Sequence, residues 1–274
     1  MFQDLAGLVA IAWLCWAASE TCEEVSVLQR KHLQQDVSLF VLVGNDLPHF
    51  LQGCNQIFLD VGANRGTHIR KLLEPQKYQK APYLRIFDEI FGPAEYRSQA
   101  SSKTGICAIG LEPNPRWLQT HQKIEEVYQQ KGWKVKFLPV AAGDQTGVIA
   151  MYNSNESSKH SDWGFGVSQY GVKSEVQEQK FSDFVDLLNK TSPSGIRLIK
   201  MDIEGSEYKV MPDLLSRNML CHNTIGNMTI EWHWKQVVRS KMQQEMAAHN
   251  CLFSRQTVVV PFDDESYLND GQPL

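Results

Sequence analysis

From Ile57 onward, short apolar runs alternate with stretches of helical period. "IFLDV" (57–61) is apolar except at Asp60, the pattern of a strand covered on both faces of a parallel sheet. Ile69, Leu72 and Leu73 follow at i, i+3 and i+4, predicting a helix that Pro75 stops. Residues 76–105 interrupt the alternation. "YLRIFDEIFG" predicts a local helix around Tyr83–Ile90, "SQASSKTG" reads as a loop, and the whole stretch is expected to be an insertion. "ICAIGLEP" (106–113) is the second strand, and Asn114-Pro115 then caps a helix. That helix carries Trp117, Leu118, Ile124, Val127 and Tyr128 on one face and closes at Gly132.

"KVKFLPVAAGD" predicts strand three and "GVIAMY" a further strand, with a polar loop over 153–175 containing Trp163 and Phe165. Ser182 caps the helix "DFVDLLNK". "IRLIKMDIEG" and "NMTIEWHW" are strands four and five with a helix between them, and "NCLFSRQTVVVP" reads as a late strand pair. Such an order describes an α/β fold, a doubly wound and mostly parallel sheet. Ligands in these sheets bind beyond the carboxyl ends of the strands. The polar residues there carry the information: Asp60, Glu112, Asp144, Asp202, Glu204, Glu231 and His233.

Composition adds boundaries. The 274 residues are 42% hydrophobic, enough for one substantial core, and residues 23–274 are expected to form a single domain. The formal net charge of −4, without a long basic run, argues against nucleic acid as a partner. Leu5 to Ser19 is uncharged and apolar, shorter than the roughly 20 residues of a membrane span. With Ala17, Ala18 and Ser19 behind it, residues 1–22 read as a secretory signal or short anchor, although no Lys or Arg precedes the run. The expected location is therefore the secretory pathway, with the cytoplasm as the alternative, and any membrane association through this segment only. Asn155, Asn189 and Asn227 begin N-x-[ST] sequons, so a glycoprotein is expected. Beyond Cys15 there are five widely spaced cysteines, compatible with one or two disulfides and without zinc spacing.

The turn "DVGANRG" lets the backbone come close to a ligand at Gly62 and Gly66, flanking Ala63 and Asn64. Asn64 replaces the middle glycine of a dinucleotide loop, and Asn tolerates the left-handed region better than other side-chain-bearing residues. Glu112, ending the next strand before Pro113, is placed to accept ribose hydroxyls. A carboxylate at Asp60 disfavours a pyrophosphate and suits the ammonium of a methionine moiety. That favours S-adenosyl-L-methionine over NAD.

"FLDVGANRG", "IGLEPNPRW", "VKFLPVAAGD", "FSDFVDLL", "LIKMDIEGSEYKVM" and "TIEWHW" resemble, in order, the blocks of FkbM-type S-adenosylmethionine-dependent methyltransferases over about residues 55–235. The resemblance implies a class I methyltransferase fold of seven strands with the last antiparallel, and O-methylation of sugars or hydroxylated small molecules. It also implies that Asp60–Gly66 holds the methionine part, Glu112 the ribose, and Ala142–Asp144 the adenine side. In the family the strand-four block lies beside the methyl group. Asp202 is therefore the first choice for base or acceptor-orienting group, with Glu204 next. Lys200, on the same strand face as Asp202, is expected to pair with a carboxylate. His233 is a further base candidate. Asp202 with Glu204 is a pair able to hold a divalent ion, but nothing in the spacing demands one and no metal is expected. A non-catalytic protein retaining the adenosine pocket is the alternative.

Overall fold

The computed structural model describes residues 46–153, 165–167, 171–192, 195–233 and 236–264. The apolar leader, Asn155, Trp163 and Trp234 lie outside them. Six strands form the main sheet: β1 (Gln56–Val61), β2 (Ile106–Leu111), β3 (Lys134–Leu138), β7 (Ile196–Met201), β8 (Ile225–Ile230) and β9 (Val258–Pro261). Their order is β3-β2-β1-β7-β8-β9, and every pairing is parallel. Order reverses between β1 and β7, which makes their carboxyl ends the expected binding crevice. Ile57 to Val61 are all buried, as the continuous apolar run requires of a central strand.

Three expectations change. Among the described residues the last strand is parallel to β8, not antiparallel, and no seventh strand joins this sheet. The late strand pair reduces to β9 and an isolated bridge, Cys221 to Gln256, because "NCLFSR" has no strand partner. "KVKFLPVAAGD" breaks after Leu138 and rejoins elsewhere: β4 (Ala141–Gly143) pairs with β6 (Val172–Lys180), which also pairs with β5 (Gly147–Asn153). Much of β6 is exposed and polar, so apolar periodicity does not reveal it.

The stretch 76–105 contains the expected local helix and packs into the core. It holds α3 (Leu84–Phe91), α4 (Ala94–Arg97) and α5 (Ser101–Thr104), following α1 (Leu47–Phe50) and α2 (Thr67–Leu73). Phe87 and Phe91 are buried against Phe58 of β1, with ring centroids 5.1 and 6.3 Å away. Burying an aromatic side chain contributes roughly 1.5–3 kcal/mol, so this segment is a layer of the core. Arg97 is completely buried; its guanidinium donates to the carbonyls of Gly92 and Leu72 and pairs with Asp88. On the other helical stretches, α6 (Leu118–Gln130) buries Ile124 and Tyr128 as predicted, but Leu118 is exposed. Ser182 lies inside α7 (Phe181–Thr191), where it accepts from Arg217, and does not cap it. α8 (Glu207–Ser216) and α9 (Gln236–Ala248) complete the layers.

Disulfides join Cys54 to Cys107 and Cys221 to Cys251. They close loops of 53 and 30 residues, each stabilising by about 4 kcal/mol if loop entropy governs. Asn227 stands in β8 with its amide donated to the Arg197 carbonyl, and the side-chain amide atoms of Asn189 are buried. Among the described residues no helix is long and apolar enough to cross a membrane.

Candidate active site

A pocket enclosing about 800 Å³, open mouth included, lies beyond the carboxyl ends of β1, β2 and β7. It takes in Gly62, Ala63, Asn64, Glu112, Pro113, Ala142, Lys200, Asp202 and Glu204 from the sequence-based candidates. Asp60, Gly66, Asp144 and His233 are not on its lining.

The turn after β1 is held from several sides. Asn64 has φ 47°, the left-handed conformation its side chain tolerates. Its backbone N–H donates to Glu112 Oε2 at 2.7 Å, and Asn114 N–H donates to Glu112 Oε1 at 2.8 Å. Glu112 thus ties the ends of β1 and β2 together while keeping lone pairs for a ligand. Burial pushes its carboxyl up to about 7, against the pull of the two backbone N–H groups. The carbonyl of Asn64 takes a 2.7 Å hydrogen bond with His121, whose ring stacks on Phe137. Burial pushes the His121 imidazole down to about 4, so it stays neutral at working pH.

The protein's own packing requires both glycines. A Cβ on Gly62 would stand 1.7 Å from the Asp202 carbonyl oxygen, and one on Gly66 would stand 2.7 Å from Phe137. Both have φ near +80° or a little less, which favours glycine as well.

Asp60 is fully buried and is not among the residues lining the pocket. Neither of its oxygens has a hydrogen-bond partner among the described residues, and burial pushes it up to about 7. Lys200 lies between the two strand ends. Its Nζ is 3.0 Å from the Gly62 carbonyl, 3.0 Å from Asp202 Oδ2 and 3.8 Å from Asp60 Oδ1. The expected pairing of Lys200 with carboxylates is therefore present. Burial opposes the Lys200 charge, but Asp202 and Asp60 outweigh it and hold the ammonium above its usual range. Burial likewise opposes the Asp202 charge, yet Lys200 and His233 hold it below the usual carboxylate range.

The turn after β7 carries Glu204 in the left-handed region at φ 53°. Burial raises Glu204 to about 7 despite the attraction of His233. Glu207 is completely buried at the start of α8; it accepts from Ile203 N–H and Gly205 N–H, each at 2.9 Å, and meets His233 Nδ1 at 3.0 Å. The Nε2 of His233 faces Glu231 at 3.4 Å and Asp202 and Glu204 at 3.6 Å each. Burial works against a charged imidazole here, but the bonds to Glu207 and Glu231 and the charge of Glu204 push it up to about 11.

Met151, Ala141 and His68 escaped the sequence reading, whereas Phe165 stands in the predicted 153–175 loop. Met151 of β5 and Phe165, beside a bridge from Gly166 to Tyr152, bring the small sheet to the pocket with Ala141. Only an aromatic between glycines in a polar loop marked Phe165. His68 of α2 also lines the pocket; its Nε2 is 3.2 Å from Asp264, and burial keeps the ring neutral. Helical spacing gives no hint of an ion partner 196 residues away. Asp144, expected on the adenine side, is exposed because β4 turns away after Gly143.

No curated protein matches the chain. A solved structure, methyltransferase FkbM from Methylobacillus flagellatus KT, aligns at 16% identity over 60% of this chain with a TM-score of 0.34. The alignment spans 30% of that chain's length. A family model, the methyltransferase FkbM domain, matches residues 60–253. With that match covering well over half its length, the chain belongs to the FkbM methyltransferase family.

Proposed function

We propose that the protein is an S-adenosylmethionine-dependent O-methyltransferase acting on a hydroxyl of a carbohydrate or another hydroxylated small molecule. The observation that carries this reading is Glu112. It is a buried carboxylate at the end of β2, oriented by two backbone N–H groups and facing the pocket, as a ribose diol requires. Leu111, Pro113, Ala142, Met151 and Phe165 supply apolar surface for an adenine beside it. The residues present thus fit the cofactor. When bound, it supplies a methyl group activated on a sulfonium.

The chain's own part is alignment and proton handling. Asp202 and Glu204 line the same pocket as Glu112, and Lys200 fixes the Asp202 carboxylate through a 3.0 Å bond. An alcohol must lose its proton as the new bond forms, and positioned carboxylates accept or orient that proton. Two disulfides and the apolar leader support a working place in the oxidising secretory pathway.

Calorimetric titration with S-adenosylhomocysteine tests the common part, and absence of binding at millimolar ligand overturns it. Ionised Glu112 accepts hydroxyls, so affinity is expected to rise as pH passes through about 7. Glu112→Gln should bind at least about tenfold more weakly and lose that pH step. With a panel of sugars and simple alcohols and labelled S-adenosylmethionine, Asp202→Asn is expected to lose transfer by roughly 100-fold or more while S-adenosylhomocysteine binding persists. Full activity of the variant would remove Asp202 from the mechanism.

A further inference from the structure

We infer that Asp202, Glu204 and His233 form a divalent-cation site at the edge of the pocket lining, which takes its role from the methyltransferase reading but not its existence. Each residue offers one ligand atom, and these atoms all lie within 4.8 Å of one another. His233 Nε2 is 3.6 Å from an oxygen of Asp202 and 3.6 Å from one of Glu204. Those separations are long for hydrogen bonds. Ligands held at roughly 2.1 Å around one ion stand about 3.0–3.4 Å apart, so small side-chain shifts complete the set.

What stands behind the imidazole points the same way. His233 Nδ1 meets Glu207 Oε1 at 3.0 Å, and Glu207 is itself fixed by the Ile203 and Gly205 N–H groups. A ligating histidine characteristically gives its other ring N–H to such a buried carboxylate, which orients the second nitrogen, here Nε2 among the Asp202, Glu204 and Glu231 carboxylates. On the opposite side, Asp202 and Glu204 line the pocket, so the open coordination positions face incoming substrate. The other His/Cys grouping, Cys221, His249 and Cys251, has its sulfurs joined in a disulfide and offers no thiolate.

Two carboxylate oxygens with one imidazole suit a hard, oxygen-preferring divalent ion such as Mn²⁺ better than a soft one. Binding displaces the Nε2 proton to solvent. A cation held there would acidify an acceptor hydroxyl docked against it: the O–H bond breaks, the electron pair stays on oxygen, and the proton leaves to solvent.

The test titrates Mn²⁺ into the full-length protein, reading free Mn²⁺ by electron paramagnetic resonance, with S-adenosylhomocysteine binding measured on the same samples. A single Mn²⁺ per chain at roughly micromolar concentration is expected. Glu204→Gln and His233→Gln should each weaken it at least about tenfold, and Glu207→Gln by a similar factor through the unaimed imidazole. No bound Mn²⁺ at millimolar concentration overturns the site, as does binding that both ligand variants leave unchanged. Should Mn²⁺ bind as expected while S-adenosylhomocysteine does not, the cation site stands and the methyltransferase reading falls.

Discussion

Gly62→Ala is expected to leave the domain unfolded or severely destabilised, by about 4 kcal/mol or more. The new Cβ would stand 1.7 Å from the Asp202 carbonyl oxygen and 2.8 Å from its carbon, both backbone atoms of the neighbouring strand end. Relief requires β1 and β7 to separate where the sheet order reverses. The φ of +79° adds roughly 1–2 kcal/mol for any residue with a side chain. Gly147→Ala is the control, since nothing lies within 4 Å of a Cβ there. Thermal melting followed by circular dichroism decides: a Gly62→Ala midpoint within a few degrees of the parent would contradict the close approach.

Lys200→Met should destabilise the fold by about 3–5 kcal/mol, the usual result of removing one partner from a buried ion group. At roughly 2–4 °C per kcal/mol for a domain of this size, the melting midpoint falls by about 10 °C. The Gly62 carbonyl, Asp202 and Asp60 all lose their cation together. The loss should depend on pH. Asp60 is already pushed up to about 7 from an ordinary 3.8, so the folded state binds its proton more tightly than the unfolded chain. The stability tied to that proton is full below about pH 4 and disappears as pH rises through 7. Without Lys200 the carboxylate is harder still to ionise, so the variant should be closer to the parent at pH 6 than at pH 8. Adding Asp60→Asn to Lys200→Met should recover part of the loss at pH 8. An equal deficit at both values would show that Asp60 carries no part of it.

These two positions show how unevenly the site is legible in the sequence. The Asp60–Gly66 turn, Glu112 and the Lys200-x-Asp202-x-Glu204 run are recognisable because strand periodicity places them at carboxyl ends, where an α/β sheet binds ligands. The purpose of each is less legible. The glycines read as openings for a ligand, yet their missing Cβ atoms make room for the Asp202 carbonyl and Phe137. Asp60 reads as a ligand contact, yet it is buried off the pocket lining, facing Lys200. His233 reads as a base, yet four carboxylates surround it.

By itself the sequence determined the alternation of β1, β2, β3, β7 and β8 with their helices, the resulting crevice, and the family of the chain. Those follow from local apolar period, capping and turn chemistry, which act over a few residues. Tertiary structure alone decided that residues 76–105 are a core layer, that polar β6 forms a second sheet bringing Met151 and Phe165 to the pocket, and that Asp202, Glu204, Glu207, Glu231 and His233 converge. The physical reason is range. Burial, ion pairing and hydrogen bonding act between atoms a few ångströms apart in space, and folding brings those atoms together from distant parts of the chain.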